Sequence, residues 1–341
     1  MKLLLLTFLF TQVVLSSQSF DVGVLYWSMN IEGQVAMRQG LESQAKEINA
    51  KAKKTGTPTI NLIHHIAGDG ADGVKNQISQ FNSLIKQKVD LIVVQPTDNA
   101  ALSGSLKKAN QANIPVIAYD QYIIGGELKS FITSNNYQAG FLAGEYLASK
   151  FKDKKKVKLI VVQYPKVSSA IDRVDGFFDA FKESSKTYEV VGTYEAVEPS
   201  GGKAVGKEIL KSFPKKGSFD AIFTINDGGG ISVVKELKKA GRDEILHATV
   251  DGDPKSIANL KEANLTVINS AQFCAEIGRQ SIRQGYKFLL GQKISKKILI
   301  PTFPITKETI DRYTGWNGKI PAPFKKPWKR NSEWSAKIES F

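Results

Sequence analysis

Two short apolar runs, each set off by a proline, do most to limit how this chain can fold. Leu91 to Val94 is continuously apolar and is stopped by Pro96; Val116 to Tyr119 repeats the pattern directly after Pro115. Runs this short, with no polar alternation, read as strands buried on both faces, the kind found in parallel sheets covered by helices. Between them Ala101, Leu102, Leu106 and Ala109 line one helical face, and Pro115 forbids further helix. Residues 90–121 therefore form one βαβ unit with a right-handed crossover. Ligands of such sheets lie at the carboxyl ends of the strands, which nominates Gln95, Thr97, Asp98, Asp120 and Gln121.

The same alternation runs in both directions from this unit. Upstream, strands are predicted at 22–27 and 59–64 and helices at 33–53 and 74–88; downstream, 131–133 is a strand, and Ser134 or Asn135 can cap the helix that follows. A second series then begins, with strands at 157–163, 190–194, 220–225, 246–250 and 266–269. Helices at 169–183, 203–212, 231–240 and 255–263 alternate with them, and a long helix at 276–290 precedes a strand at 298–300. Two such runs predict an α/β protein of two similar Rossmann-like lobes with parallel sheets. A chain of 341 residues that is 42% hydrophobic can bury both cores.

The N-terminus follows a different logic. Lys2, a mostly apolar stretch to Leu15 and the small residues Ser16, Ser17 and Ser19 predict a secretory signal peptide, cleaved near Ser16 or Ser19. The single Cys274 sits in an apolar context and reads as a buried thiol. With no cysteine near the cleavage region to carry a lipid, an exported binder is retained only behind an outer membrane, so the periplasm of a Gram-negative cell is expected. The net charge of +14 is spread over lysines without aromatic interleaving, which reads as a solvated surface and not as a nucleic-acid site.

The strand ends alone nominate a site rich in carboxylates, amides and aromatics: Tyr26 to Ser28, His64 and His65, Gln95 with Thr97 and Asp98, Asp120 and Gln121, Gln163 and Tyr164, Glu195, Asn226 and Asp227, Asp251 with Asp253, and Gln272. Carboxylates and amides take paired hydroxyl hydrogen bonds, and an aromatic face packs the C–H side of a sugar ring, so the chemistry is that of a polyol site. Asp98, Ser169 and Asp253 read as helix caps. His64 and His65 are adjacent on a strand and point to opposite faces, poor geometry for one metal. The run Gly228 to Gly230 opens a helix but lacks the lysine of a phosphate loop.

QPTDNAAL (95–102), ANQANIPVIAYD (109–120) and SNNYQAGFLAGEYLA (134–148) resemble the ribose-type periplasmic sugar-binding proteins, whose ligand-binding core is shared with the lactose-repressor family. The likeness extends from about Val22 to about Tyr313. It implies the type I periplasmic binding protein fold, two lobes joined by a three-segment hinge with crossings near Thr133, Gln272 and Thr302. The lobes would then be 20–133 with 273–302, and 134–272 with 303–315. The likeness puts Asp120, Arg173, Asn226, Asp251 and Gln272 at ligand-contacting positions, with Asn135 beside the first crossing. Gln121 stands where the family often has arginine, and Ile171 where ribose binders have another. The first wall, WSMNIEGQ, departs most; Trp27 would supply the stacking surface, with Asn30, Glu32 or Gln34 hydrogen-bonding and Ser28 also among the candidate ligand contacts.

These readings converge on a monomeric periplasmic protein that captures a small sugar or polyol, needs no cofactor and catalyses nothing. Asp120 and Asp251 could form a glycosidase pair, but one carboxylate from each lobe equally suits ring-hydroxyl recognition. The expected partner is the permease of an ABC importer. A sensory co-receptor of the same fold, of the autoinducer-2 kind, signalling to a histidine kinase or chemoreceptor, is the alternative. Residues 316–341 form a basic extension with Trp316, Trp328 and Trp334; exposed tryptophans are costly, which favours packing over a lobe against a partner-binding tail.

Overall fold

A computed structural model describes residues 19–151 and 156–341; the expected signal peptide, apart from Ser19, lies outside the described residues. In chain order the first elements are β1 (Ser19–Tyr26), α1 (Glu32–Thr55), β2 (Thr59–Ile66), α2 (Gly70–Gln87), β3 (Leu91–Val94), α3 (Ser103–Gln111), β4 (Val116–Tyr119) and β5 (Ser130–Ser134). The second series follows as α4 (Asn136–Ser149), β6 (Lys156–Gln163), α5 (Ser168–Glu183), β7 (Thr187–Glu195), α6 (Pro199–Ser212), β8 (Ala221–Thr224), α7 (Asp227–Lys239), β9 (Leu246–Asp251), α8 (Pro254–Lys261) and β10 (Thr266–Ala271). Last come α9 (Cys274–Leu289), β11 (Lys297–Ile300), β12 (Phe303–Thr306) and the short strands β13 (Phe324–Lys325), β14 (Glu333–Trp334) and β15 (Glu339–Ser340).

Two sheets result. The first has the order β15-β11-β5-β4-β3-β1-β2 and the second β12-β10-β9-β8-β6-β7. Within these two sheets all described pairings are parallel except the edge pairs β11–β15 and β10–β12. The two apolar runs became β3 and β4 with every residue buried, as their patterning requires. In each lobe the strand order reverses beside the first strand, β1 or β6, and the crevice at that reversal is where open α/β sheets hold ligands. The chain passes between the sheets at β5–α4, β10–α9 and β11–β12.

Glycines let the lobe helices approach the crossings closely. A Cβ at Gly40 of α1 would fall inside the backbone of Ala275 on α9, and one at Gly140 of α4 inside the backbone of Arg173 on α5. The run Gly228 to Gly230 serves packing in the same way: side chains there would strike Val197, Ala196 and Thr224, so the glycines seat the first turn of α7 against its own lobe.

The extension packs over both lobes and not over one. Trp334 is 1% exposed, packs edge-on to Phe303 and donates its indole N–H to the carbonyl of Thr302 at 2.7 Å. Glu145 on α4 accepts from Lys326 Nζ at 2.7 Å, Lys329 Nζ at 2.8 Å and Trp328 Nε1 at 2.9 Å. Burial alone raises the Glu145 pKa, but these donors outweigh it and the carboxyl sits below its ordinary value. β15 then completes the edge of the first sheet through β11.

Candidate functional site

The site is built from strand ends. From the first lobe, Gln95 follows β3, is fully buried, donates to Asp120 Oδ2 at 2.9 Å and accepts from Trp27 N at 3.3 Å. Asp120 follows β4 with φ +64°, its carbonyl held by Thr133 Oγ1 at 3.0 Å. Burial raises its carboxyl pKa, while Gln95 and the more distant Arg173 oppose the shift. Among the described residues its one side-chain hydrogen-bond partner is a neutral amide, so the carboxylate keeps acceptor capacity for a ligand.

From the second lobe, Asp251 closes β9 with φ +122°, a conformation that costs a non-glycine residue about 1–3 kcal/mol. Its Oδ1 accepts from Gln272 Nε2 at 2.7 Å and from Arg173 at 3.1 Å; Oδ2 accepts from Asp227 N at 3.3 Å. Burial raises its pKa and the Arg173 guanidinium restrains it. Arg173, on α5, is itself buried and also donates to Asn136 Oδ1 at 2.9 Å and to the carbonyl of Ile225 at 2.8 Å. Both carboxylates thus end corresponding strands, both have positive φ, and the charge of Asp251 is felt at Asp120. Strain placed twice at equivalent positions is what a pre-organised site stores.

The remaining sequence-nominated residues divide clearly. Gln272 bridges crossings, accepting from Ser134 Oγ at 2.7 Å while holding Asp251. Gln121 is buried and donates across the cleft to Ser169 Oγ at 3.1 Å, so Ser169 serves as an interlobe contact and not as the expected helix cap. Asp98 does cap the turn before α3, accepting from Ala100 N and Ala101 N, and Asp253 caps α8. Asn135 caps α4 through Gln138 N, and Asn226 caps α7 through Gly229 N while donating to Val197 O. Trp27 is half-buried beside Gln95. Ser28 and Gln34 are buried and bond each other, with Ser28 N donating to Gln34 Oε1 at 2.9 Å. Asn30 turns outward to Asp69 Oδ2 at 2.7 Å. His64 shares a hydrogen bond with the Tyr26 hydroxyl at 2.8 Å.

The strand ends nominate Asp227 together with Asn226, but only Asn226 stands among the expected ligand contacts. Asp227 is fully buried, and its carboxylate accepts from Gly252 N, Asp253 N, Thr249 Oγ1 and Asn269 Nδ2, fixing the loop that carries Asp251. Burial, reinforced by Asp251, pushes its pKa up to about 7. Its place at N1 of α7, at a nominated strand end, was the available signal. A separate cavity of about 350 Å³ lies behind Asp251, walled by Gly252, Pro254, Ile257, Tyr313 and Trp316. None of the carboxylates above lines it.

Two doubly wound lobes joined by three crossings, with a carboxylate at the corresponding strand end of each, define a hinged binder of small polar solutes. A model of the periplasmic binding protein domain matches residues 22–293, and the chain belongs to that family. Members of the family are binding proteins of transport and not enzymes, and this chain is one of them. It is 26% identical over 288 residues to the ribose import binding protein of Bacillus subtilis, covering 84% of this chain and 87% of that one. Against the ribose import binding protein of Escherichia coli it is 27% identical over 241 residues, 70% of this chain and 79% of the relative. Its fold matches an ABC transporter solute-binding protein of Actinobacillus succinogenes bound to D-allose, with a TM-score of 0.73 and 24% identity, covering 86% of this chain and 99% of that one. One from Bacillus halodurans with bound myo-inositol gives 0.74 at 22% identity, covering 87% and 98%.

Proposed function

We propose that the protein captures a small sugar or sugar-like polyol between its lobes and presents the closed form to the permease of an ABC importer. The carrying observation is the convergence of Asp120 and Asp251 from opposite lobes, each steadied by a neutral amide, Gln95 or Gln272. Paired carboxylate and amide groups match adjacent ring hydroxyls, and Trp27 is the stacking surface. Ser28, Asn30, Gln34, Gln121, Asn135, Arg173 and Asn226 complete the assignment, with Gln121, Asn135 and Asn226 acting chiefly through the bonds they make within the protein. A ligand that touches both lobes binds the closed state better and shifts the population toward it. Relatives named as import binding proteins favour import over a sensory output. We place the protein in the periplasm, delivered by the signal peptide read in residues 1–19. Residues 20–133 with 273–302 and 134–272 with 303–315 are assigned as its lobes.

The test is mass spectrometry of the small molecule released from natively purified protein, followed by calorimetric titration of wild type and Asp120→Ala with it. Loss of a hydrogen-bonded charged partner is expected to weaken binding by about 1.5–3 kcal/mol. A protein that releases no sugar or polyol and binds none, or an Asp120→Ala variant with unchanged affinity, refutes the reading.

A further inference from the structure

Residues 316–341 lie beyond the stretch matched by the family model, 22–293, yet their first residue touches the site. Trp316 donates its indole N–H to the carbonyl of Asp251 at 2.7 Å, the same carbonyl that accepts from Gln272 N at 3.0 Å. Asp251 is the cleft carboxylate held at φ +122°. A peptide in that region relaxes unless its neighbours over-determine it, and Trp316 is one of the groups that hold this carbonyl.

Trp316 is in turn held from both sides of the hinge. Its own carbonyl accepts from Ala275 N at the start of α9 in the first lobe. The next residue, Asn317, donates to Gln39 on α1 and accepts from Arg279 on α9. Further along, Lys326, Trp328 and Lys329 grip Glu145 of the second lobe, and β15 adds to the first sheet. The extension is therefore fastened to both lobes, with Trp316 at the point nearest the cleft.

We infer that Trp316 is a positioning residue for solute capture: its indole fixes the Asp251 backbone so that the carboxylate faces the cleft, and the extension behind it keeps the indole in place. This rests on the capture reading above, in which Asp251 touches the solute. Trp316→Phe retains the ring and removes only the donor, so the loss expected is that of one neutral hydrogen bond, about three- to tenfold in affinity.

The experiment titrates the full chain calorimetrically with D-ribose, D-allose, D-fructose and myo-inositol and takes the tightest binder as probe. Trp316→Phe, Asp251→Asn and the double variant are then compared with wild type, with thermal unfolding of each as the check on folding. Trp316→Phe is expected to weaken the probe by about three- to tenfold and Asp251→Asn by about tenfold or more. The double variant should match Asp251→Asn within about twofold, because one residue acts through the other. An independent readout needs no variant. In nitrogen-15-labelled wild type the Trp316 indole resonance should shift on adding the probe, and an unmoved resonance overturns the inference. The inference alone also fails if Trp316→Phe binds like wild type while Asp251→Asn does not, or if its loss persists undiminished in the Asp251→Asn background. If Asp251→Asn binds normally, or none of the four compounds binds, the capture reading fails and the inference with it.

Discussion

Replacing Arg173 by methionine keeps most of the aliphatic stem and removes every donor of the guanidinium. Three bonds go with it, to Asn136 Oδ1, to the carbonyl of Ile225 and to Asp251 Oδ1. The gravest loss is the cation facing Asp251, whose side chain is only 22% exposed and whose pKa burial already raises. Removing one partner of a buried ion pair costs about 3–5 kcal/mol, because the other charge is stranded. Gln272 Nε2 and Asp227 N remain on the carboxylate, which with its residual exposure puts the expectation at the low end, about 3 kcal/mol. The double variant Arg173→Met/Asp251→Asn has no stranded charge and should recover about 1–2 kcal/mol of that loss. Urea unfolding of wild type, both single variants and the double variant measures all four corners. A cost for Arg173→Met below about 1 kcal/mol, or a double variant no more stable than the single, would falsify the claim that Asp251 depends on Arg173.

Two further outcomes follow from buried groups. His247 lies between the hydroxyls of Thr224 and Thr266, and burial lowers its pKa to about 3. The unfolded chain therefore takes up the proton first: this stability is present above the ordinary value of 6.5 and drains away as pH falls toward 3. Between pH 6.5 and 5.0 the loss is about 1.6 kcal/mol. It is read as the change in the stability gap between wild type and His247→Gln, a comparison in which the opposite drift from Asp227 cancels; a gap that does not change with pH refutes it. Gly140→Ala should cost about 1–3 kcal/mol or more, since the new methyl group meets the Arg173 backbone and α4 must move off α5. It should weaken solute capture as well, because Arg173 moves with that backbone; calorimetry showing unchanged affinity in a folded variant would rule this out.

Local patterning carried the architecture a long way. Continuous apolar runs bounded by prolines specified β3 and β4 to the residue, because a strand buried on both faces admits no polar alternation. The alternation of strand and helix was enough to require two α/β lobes and to list the strand ends from which Asp120, Asp251 and Gln272 project. Partner choice was beyond its reach. That Gln121 bonds Ser169 in the other lobe, that Asp227 holds the Asp251 loop, and that Lys326 grips Glu145 are pairings over 48, 25 and 181 residues. The extension's three tryptophans read as packing residues from composition, but only the folded chain showed them clasping both lobes, with one reaching Asp251. Periodicity is a property of neighbours along the chain and is written in the sequence. Which strand end meets which across a cleft depends on how two separately folded sheets dock around three crossings, and that was decided only in the tertiary structure.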